Sequence, residues 1–122
     1  MTKTVMVVDD SASLRQVVVM ALKSAGYETI EAENGKKALE VLKAKRANLI
    51  ISDVNMPVMD GLTFLKEVKK LPDYKFTPVI MLTTESSENR KSEGKASGAK
   101  AWVVKPFQPQ QMLDAVKKLL LM

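Results

Sequence analysis

Apolar runs in this chain stop, again and again, at a residue able to do chemistry. Met6-Val7-Val8 runs into Asp9-Asp10, Leu49-Ile50-Ile51 leads through Ser52 to Asp53, Val79-Ile80-Met81-Leu82 meets Thr83, and Trp102-Val103-Val104 meets Lys105. Carboxylates brought together in one crevice repel one another, and a divalent cation is the natural remedy. The chain holds no histidine and no cysteine, so its donors are all oxygen, a set that suits Mg²⁺, with Mn²⁺ as the alternative. Mg²⁺ tends to keep waters and phosphate oxygens in its shell, so a phosphoryl group is expected to complete such a site. Asp53 can then attack phosphorus to give an aspartyl-phosphate, while the cation and the Lys105 ammonium offset the charge on the equatorial oxygens and the Thr83 hydroxyl donates to one of them. Each residue taken alone has a quieter explanation. Paired acids favour helix starts, Asp53 and Thr83 can close side-chain turns, and Lys105 can snorkel. It is their joint occurrence at strand ends that points to a site.

For these residues to meet, the runs must be parallel strands whose carboxyl ends share one edge, where open α/β sheets bind ligands. The connecting stretches read as helices. Ser11 and Ser13 offer caps to one in which Leu14, Val17, Val18, Ala21, Leu22 and Ala25 recur at helical spacing, stopped by Gly26. Residues 27–32 mix Glu28, Thr29 and Glu31 with apolar residues, as an edge strand does. Asn34 caps a helix with Ala38, Leu39 and Leu42 inward. After Asp53, Pro57 and Gly61 make a tight turn, and Asp60 caps a helix with Phe64, Leu65, Val68 and Leu71 on one face. Residues 86–98 are nearly all polar, so a helix there would be weakly held. Pro109 opens the last helix, which carries Met112, Leu113, Val116, Leu119 and Leu120 on one side. Strand and helix alternating in this way predict an open parallel sheet covered on both faces.

At 122 residues the chain is expected to form one domain with a core of its own, and 46% hydrophobic residues argue against disorder. No apolar stretch is long enough to span a bilayer and the N-terminus lacks signal-peptide order, so no membrane insertion and a cytoplasmic location are expected. The missing histidine removes a Ser-His-Asp device and a phosphohistidine carried by this chain. A net charge of +5 raises nucleic acid as a partner. Lys36, Lys37, Lys43 and Lys66, Lys69, Lys70 instead fit the solvent faces of amphipathic helices, and no nucleic-acid partner is expected.

The set Asp9-Asp10, Asp53 within Asp53-Val54-Asn55-Met56-Pro57-Val58-Met59-Asp60-Gly61, Thr83, and Lys105-Pro106-Phe107 resembles the motif set of the response-regulator receiver domain of two-component signalling. The resemblance covers the whole chain, residues 1–122, as a single receiver domain. Thr83-Thr84-Glu85 and residues 98–107 are most similar to single-domain receivers of the chemotaxis CheY type. That resemblance implies a flavodoxin-like (βα)₅ open parallel sheet of strand order 2-1-3-4-5. It implies transfer of a phosphoryl group to Asp53 from the phosphohistidine of a CheA-like sensor kinase. Asp10, Asp53 and the backbone carbonyl of Asn55 would ligate Mg²⁺, with Asp9 acting through water. Lys105 would pair with the phosphate, across a cis bond to Pro106 of the type that only proline makes accessible. Thr83 and Trp102 would be the switch pair, and Asn55 and Glu85 would tune dephosphorylation. Readout would pass through the surface of the helix after the fourth strand, the fifth strand and the last helix, with the flagellar motor switch as target and a phosphatase as a further partner of a monomer. Such a protein catalyses its own phosphorylation and dephosphorylation rather than turnover of an external substrate.

The chain departs from the commonest pattern at Trp102, where tyrosine or phenylalanine is usual, and at Thr84, where many relatives carry a smaller residue. A phosphate sink, a relay intermediate and a docking module that never turns over share the same motifs. A haloacid-dehalogenase-like phosphatase needs a second acid where this chain has Asn55. A nucleotide-binding module needs a glycine-rich phosphate loop that is absent.

Overall fold

The computed structural model describes residues 3–54, 56–83, 98–104 and 108–121. In chain order it forms β1 (Thr4–Val8), α1 (Ala12–Ser24), β2 (Glu28–Ala32), α2 (Gly35–Ala44), β3 (Leu49–Asp53), α3 (Gly61–Lys70), a 3₁₀ turn (Pro72–Tyr74), β4 (Val79–Thr83), β5 (Ala101–Val104) and α4 (Pro109–Leu120). The strands are parallel and ordered β2-β1-β3-β4-β5, the flavodoxin-like arrangement expected from the resemblance. All of β3 and β4 is buried, which is why neither shows polar alternation: helices cover both faces. The period of two still sorts the side chains. Met6, Val8, Ile50, Val79 and Met81 pack with Phe64, Leu65 and Val68 of α3 and Leu42 of α2. Val5, Val7, Leu49, Ile51, Ile80 and Leu82 pack with Val18 and Leu22 of α1 and Met112 and Val116 of α4.

Local chemistry sets the helix ends. Ser11, Asn34 and Asp60 each accept the backbone N–H three residues on, from Leu14 at 3.3 Å, Lys37 at 2.9 Å and Thr63 at 2.8 Å. Gly26, at φ +95°, ends α1 with its N–H on the Lys23 carbonyl and that of Tyr27 on the Leu22 carbonyl. β2 is an edge strand as expected, with Glu28 and Glu31 exposed.

Two expectations are corrected. Val17, 50% exposed, and Ala25, also exposed, fall off the buried face although both belong to the helical recurrence read from the sequence, because Val18 and Leu22 take the sheet-facing side of α1 and Val19 shares it. Lys69 is not on a solvent face. Its ammonium donates to the Thr77 carbonyl and, at 3.3 Å, to that of Lys75, and burial, with Lys100 nearby, holds its pKa below the usual lysine value. The helix expected over residues 86–98, apart from Gly98, lies outside the described residues, as do Asn55, Thr84, Glu85, Lys105 and Pro106. Among the described residues no helix is long and apolar enough to cross a membrane.

Candidate functional site

The register of the sheet brings the strand ends level. Val8 pairs with Ala32 on one side and Ser52 on the other, Asp53 with Leu82, and Thr83 with Val104. Asp9 therefore follows β1 directly beside Asp53, the last residue of β3. Asp9 is 2% and Asp53 7% exposed, whereas Asp10 is open to solvent. One carboxylate oxygen from each of the three lies within 4.8 Å of the others. Two buried acids and one exposed acid so close make an all-oxygen set of donors. Thr83 closes β4 fully buried, one residue past the partner of Asp53.

Asp9 is held from several sides. Its N–H donates to the Ala32 carbonyl at 3.2 Å, its carboxylate accepts the Ser11 N–H at 2.9 Å, and its carbonyl accepts Arg15 Nη1 at 2.7 Å. The Asp53 backbone is set by contact with α3. The Ser52 hydroxyl donates to its carbonyl at 3.0 Å, and the Gly61 N–H donates to the neighbouring Val54 carbonyl at 2.7 Å. A Cβ on Gly61 would stand 2.1 Å from the Asp53 carbonyl oxygen, so this approach of helix to strand is open only to glycine. The loop between them is strained. Val58, a β-branched residue, has φ +71°, and the Met59 N–H bonds the Pro57 carbonyl at 2.7 Å, as in a γ-turn.

The sequence-predicted residues thus divide. Asp9, Asp10 and Asp53 come together, and Thr83 sits on the adjoining strand end. Trp102 lies opposite Met81 on β5, half-buried against the cluster of α2 and α3; its indole N–H is buried and has no hydrogen-bond partner among the described residues. Sequence reasoning missed Arg15, Ser52 and the close approach at Gly61. An arginine one turn after an acid pair carries no signal until the β1–β2 register sets Glu31 across from it.

Known proteins fit this geometry. The family model described as the response regulator receiver domain matches residues 5–117. The chemotaxis protein CheY4 of Vibrio cholerae has a structure similar to this one at a TM-score of 0.94, 49% identical, over 98% of this chain and 99% of that one. The phosphate regulon transcriptional regulatory protein PhoB of Pseudomonas aeruginosa is 35% identical over 97% of this chain and 52% of its own length. The transcriptional regulatory protein SrrA of Staphylococcus aureus is 37% identical over 98% of this chain and 48% of its own. The chain spans about half the length of these curated relatives. With a parallel sheet in the order 2-1-3-4-5, acids gathered at its carboxyl edge and a family match along almost all its length, the chain belongs to the response-regulator receiver domains of two-component signalling, and is CheY-like among them.

Proposed function

We propose that this receiver is a phosphorylation-controlled switch with Asp53 as its phosphoacceptor, residues 1–122 acting as one unit in the cytoplasm. The observation that carries the reading is the meeting of Asp9, Asp10 and Asp53 within 4.8 Å at the carboxyl edge of the sheet. A set of carboxylate donors with no histidine or cysteine fits Mg²⁺, or Mn²⁺, better than a softer metal. Asp10, Asp53 and the backbone carbonyl of Asn55 would hold the ion, with Asp9 acting through water. Bound there, it supplies positive charge against the oxygens of the transferring phosphoryl group.

The rest is done by the chain. An Asp53 carboxylate oxygen attacks the phosphorus of a kinase phosphohistidine. The O–P bond forms as the N–P bond breaks, and the departing imidazole takes up a proton. Lys105 pairs with the phosphoryl group, and Thr83, buried one residue beyond the partner of Asp53, turns its hydroxyl onto a phosphoryl oxygen and draws the following loop inward. Trp102 answers that movement: the loop drawn inward vacates space beside β5, and the indole, half-buried against the cluster of α2 and α3, fills it. Asn55 and Glu85 set the rate at which water removes the phosphate. The likeness to CheY4 favours a CheA-like kinase as donor and the flagellar motor switch as target, read through β5, α4 and the segment before β5.

The test follows Trp102, the only tryptophan, by fluorescence while Mg²⁺ and then a small-molecule phosphodonor are added. Two successive changes are expected, the second missing in Asp53→Asn. A donor-dependent change that persists in the variant would overturn the assignment of Asp53.

A further inference from the structure

Arg15 is tied to the acid cluster without belonging to it. It stands one turn into α1 with its side chain only 18% exposed. Nη1 donates to the Asp9 carbonyl at 2.7 Å, and Nε donates to the Glu31 carboxylate at 3.0 Å. Glu31 precedes Ala32, whose carbonyl accepts the Asp9 N–H. One planar guanidinium therefore joins the end of β2 to the end of β1, using the fixed fork that arginine has and lysine lacks. The carbonyl it grips belongs to the peptide between Asp9 and Asp10. Rotation of that peptide about the Asp9 Cα–C bond, unless the next torsion compensates it, swings the Cα–Cβ bond of Asp10, the one acid of the cluster that is open to solvent.

We infer that Arg15 is a positioning residue for the cation site: it fixes the Asp9–Asp10 peptide so that the Asp10 carboxylate meets those of Asp9 and Asp53, and Glu31 anchors the guanidinium in turn. The inference rests on the reading that these acids hold Mg²⁺. Arg15 is a cation near the site, and if it acted through charge alone its removal would tighten Mg²⁺ binding. A positioning role requires the reverse.

The test is calorimetric titration of Mg²⁺ into the full chain, unphosphorylated, for the wild type, Arg15→Met, Arg15→Lys, Glu31→Gln and the double variant Arg15→Met/Glu31→Gln. Lys37→Met is the control, since Lys37, in the first turn of α2, pairs with Glu33 just before it. Loss of a group that orients a ligand typically weakens metal binding by about 10-fold or more, and Arg15→Met is expected to do so by about 10-fold. Arg15→Lys should recover part of this, and Glu31→Gln should weaken binding by a smaller factor that vanishes in the Arg15→Met background. Lys37→Met should bind at least as tightly as the wild type. The Asp10 amide resonance of the Mg²⁺-free protein should shift in Arg15→Met, and thermal midpoints in chelator report folding. Wild-type binding with Arg15→Met equal or tighter overturns the positioning role alone. Absence of Mg²⁺ binding by the wild type removes the cation reading and this inference with it. If Arg15→Met does not fold, Glu31→Gln decides, and an unchanged dissociation constant there overturns the inference.

Discussion

The two edges of the sheet use polar groups differently. At the amino-terminal edge polar side chains tie one segment of backbone to another. The Asn48 side chain accepts the Thr4 N–H at 2.8 Å while its backbone N–H donates to the Thr4 carbonyl at 2.8 Å, and the buried Tyr74 hydroxyl donates toward the Leu42 and Lys45 carbonyls at 3.0 and 2.9 Å. At the carboxyl-terminal edge the chain instead gathers like charges, three carboxylates within 4.8 Å, two of them buried. The first kind of grouping ties distant segments of the fold to one another, whereas the second is a set of oxygen donors of the kind a divalent cation takes.

If the edges differ in kind, substitutions on them should separate stability from function. Gly61→Ala has the largest expected effect. It drives a Cβ to 2.1 Å from the Asp53 carbonyl oxygen, which should destabilise by about 3 kcal/mol in urea unfolding and impair phosphorylation in whatever fraction folds. Gly26→Ala is the counterpart at the other edge. It meets nothing within 4 Å and pays only for φ +95°, about 1 kcal/mol, with phosphorylation intact. Tyr74→Phe leaves backbone carbonyls short of a donor and should lower stability by about 1–2 kcal/mol with Mg²⁺ affinity unchanged.

Asp10→Asn should do the reverse, raising the stability of the Mg²⁺-free protein by about 1 kcal/mol while Mg²⁺ binding is lost. If it instead lowered stability and kept the metal, the two edges would not differ as described. The smallest effect belongs to Glu33, an exposed acid near the same edge that pairs with Lys37. Its hydrogen bond and charge pairing with Lys37 hold its pKa below the usual carboxylate value. A lowered folded-state value stabilises above the unfolded pKa and is lost as pH falls through the folded one. Thermal midpoints of the wild type and Glu33→Gln should therefore differ slightly at neutral pH and converge in acid, with Mg²⁺ affinity little changed.

How far all this was legible differs from residue to residue. Asp9, Asp53 and Thr83 could be read because an apolar run that ends at a polar residue marks a buried strand and its exit, and Ser11, Asn34 and Asp60 because capping is local. Val17 was misread because Val17, Val18 and Val19 are consecutive, and periodicity alone does not say which turns inward. Lys69, Arg15 and Gly61 act through partners that only tertiary structure supplies: the carbonyl of Thr77, the β1–β2 register, and the backbone at Asp53. The strain at Val58 left no trace in sequence either, since a β-branched residue argues against positive φ.

The central claim is that the carboxyl edge is completed by a phosphoryl group on Asp53. The direct measurement is peptide-mapped mass spectrometry after exposure to a phosphodonor, with Mg²⁺ and with chelator. One phosphoryl group on the peptide carrying Asp53, dependent on Mg²⁺ and absent in Asp53→Asn, is the result expected. Modification elsewhere, or none with Mg²⁺ demonstrably bound, would contradict it.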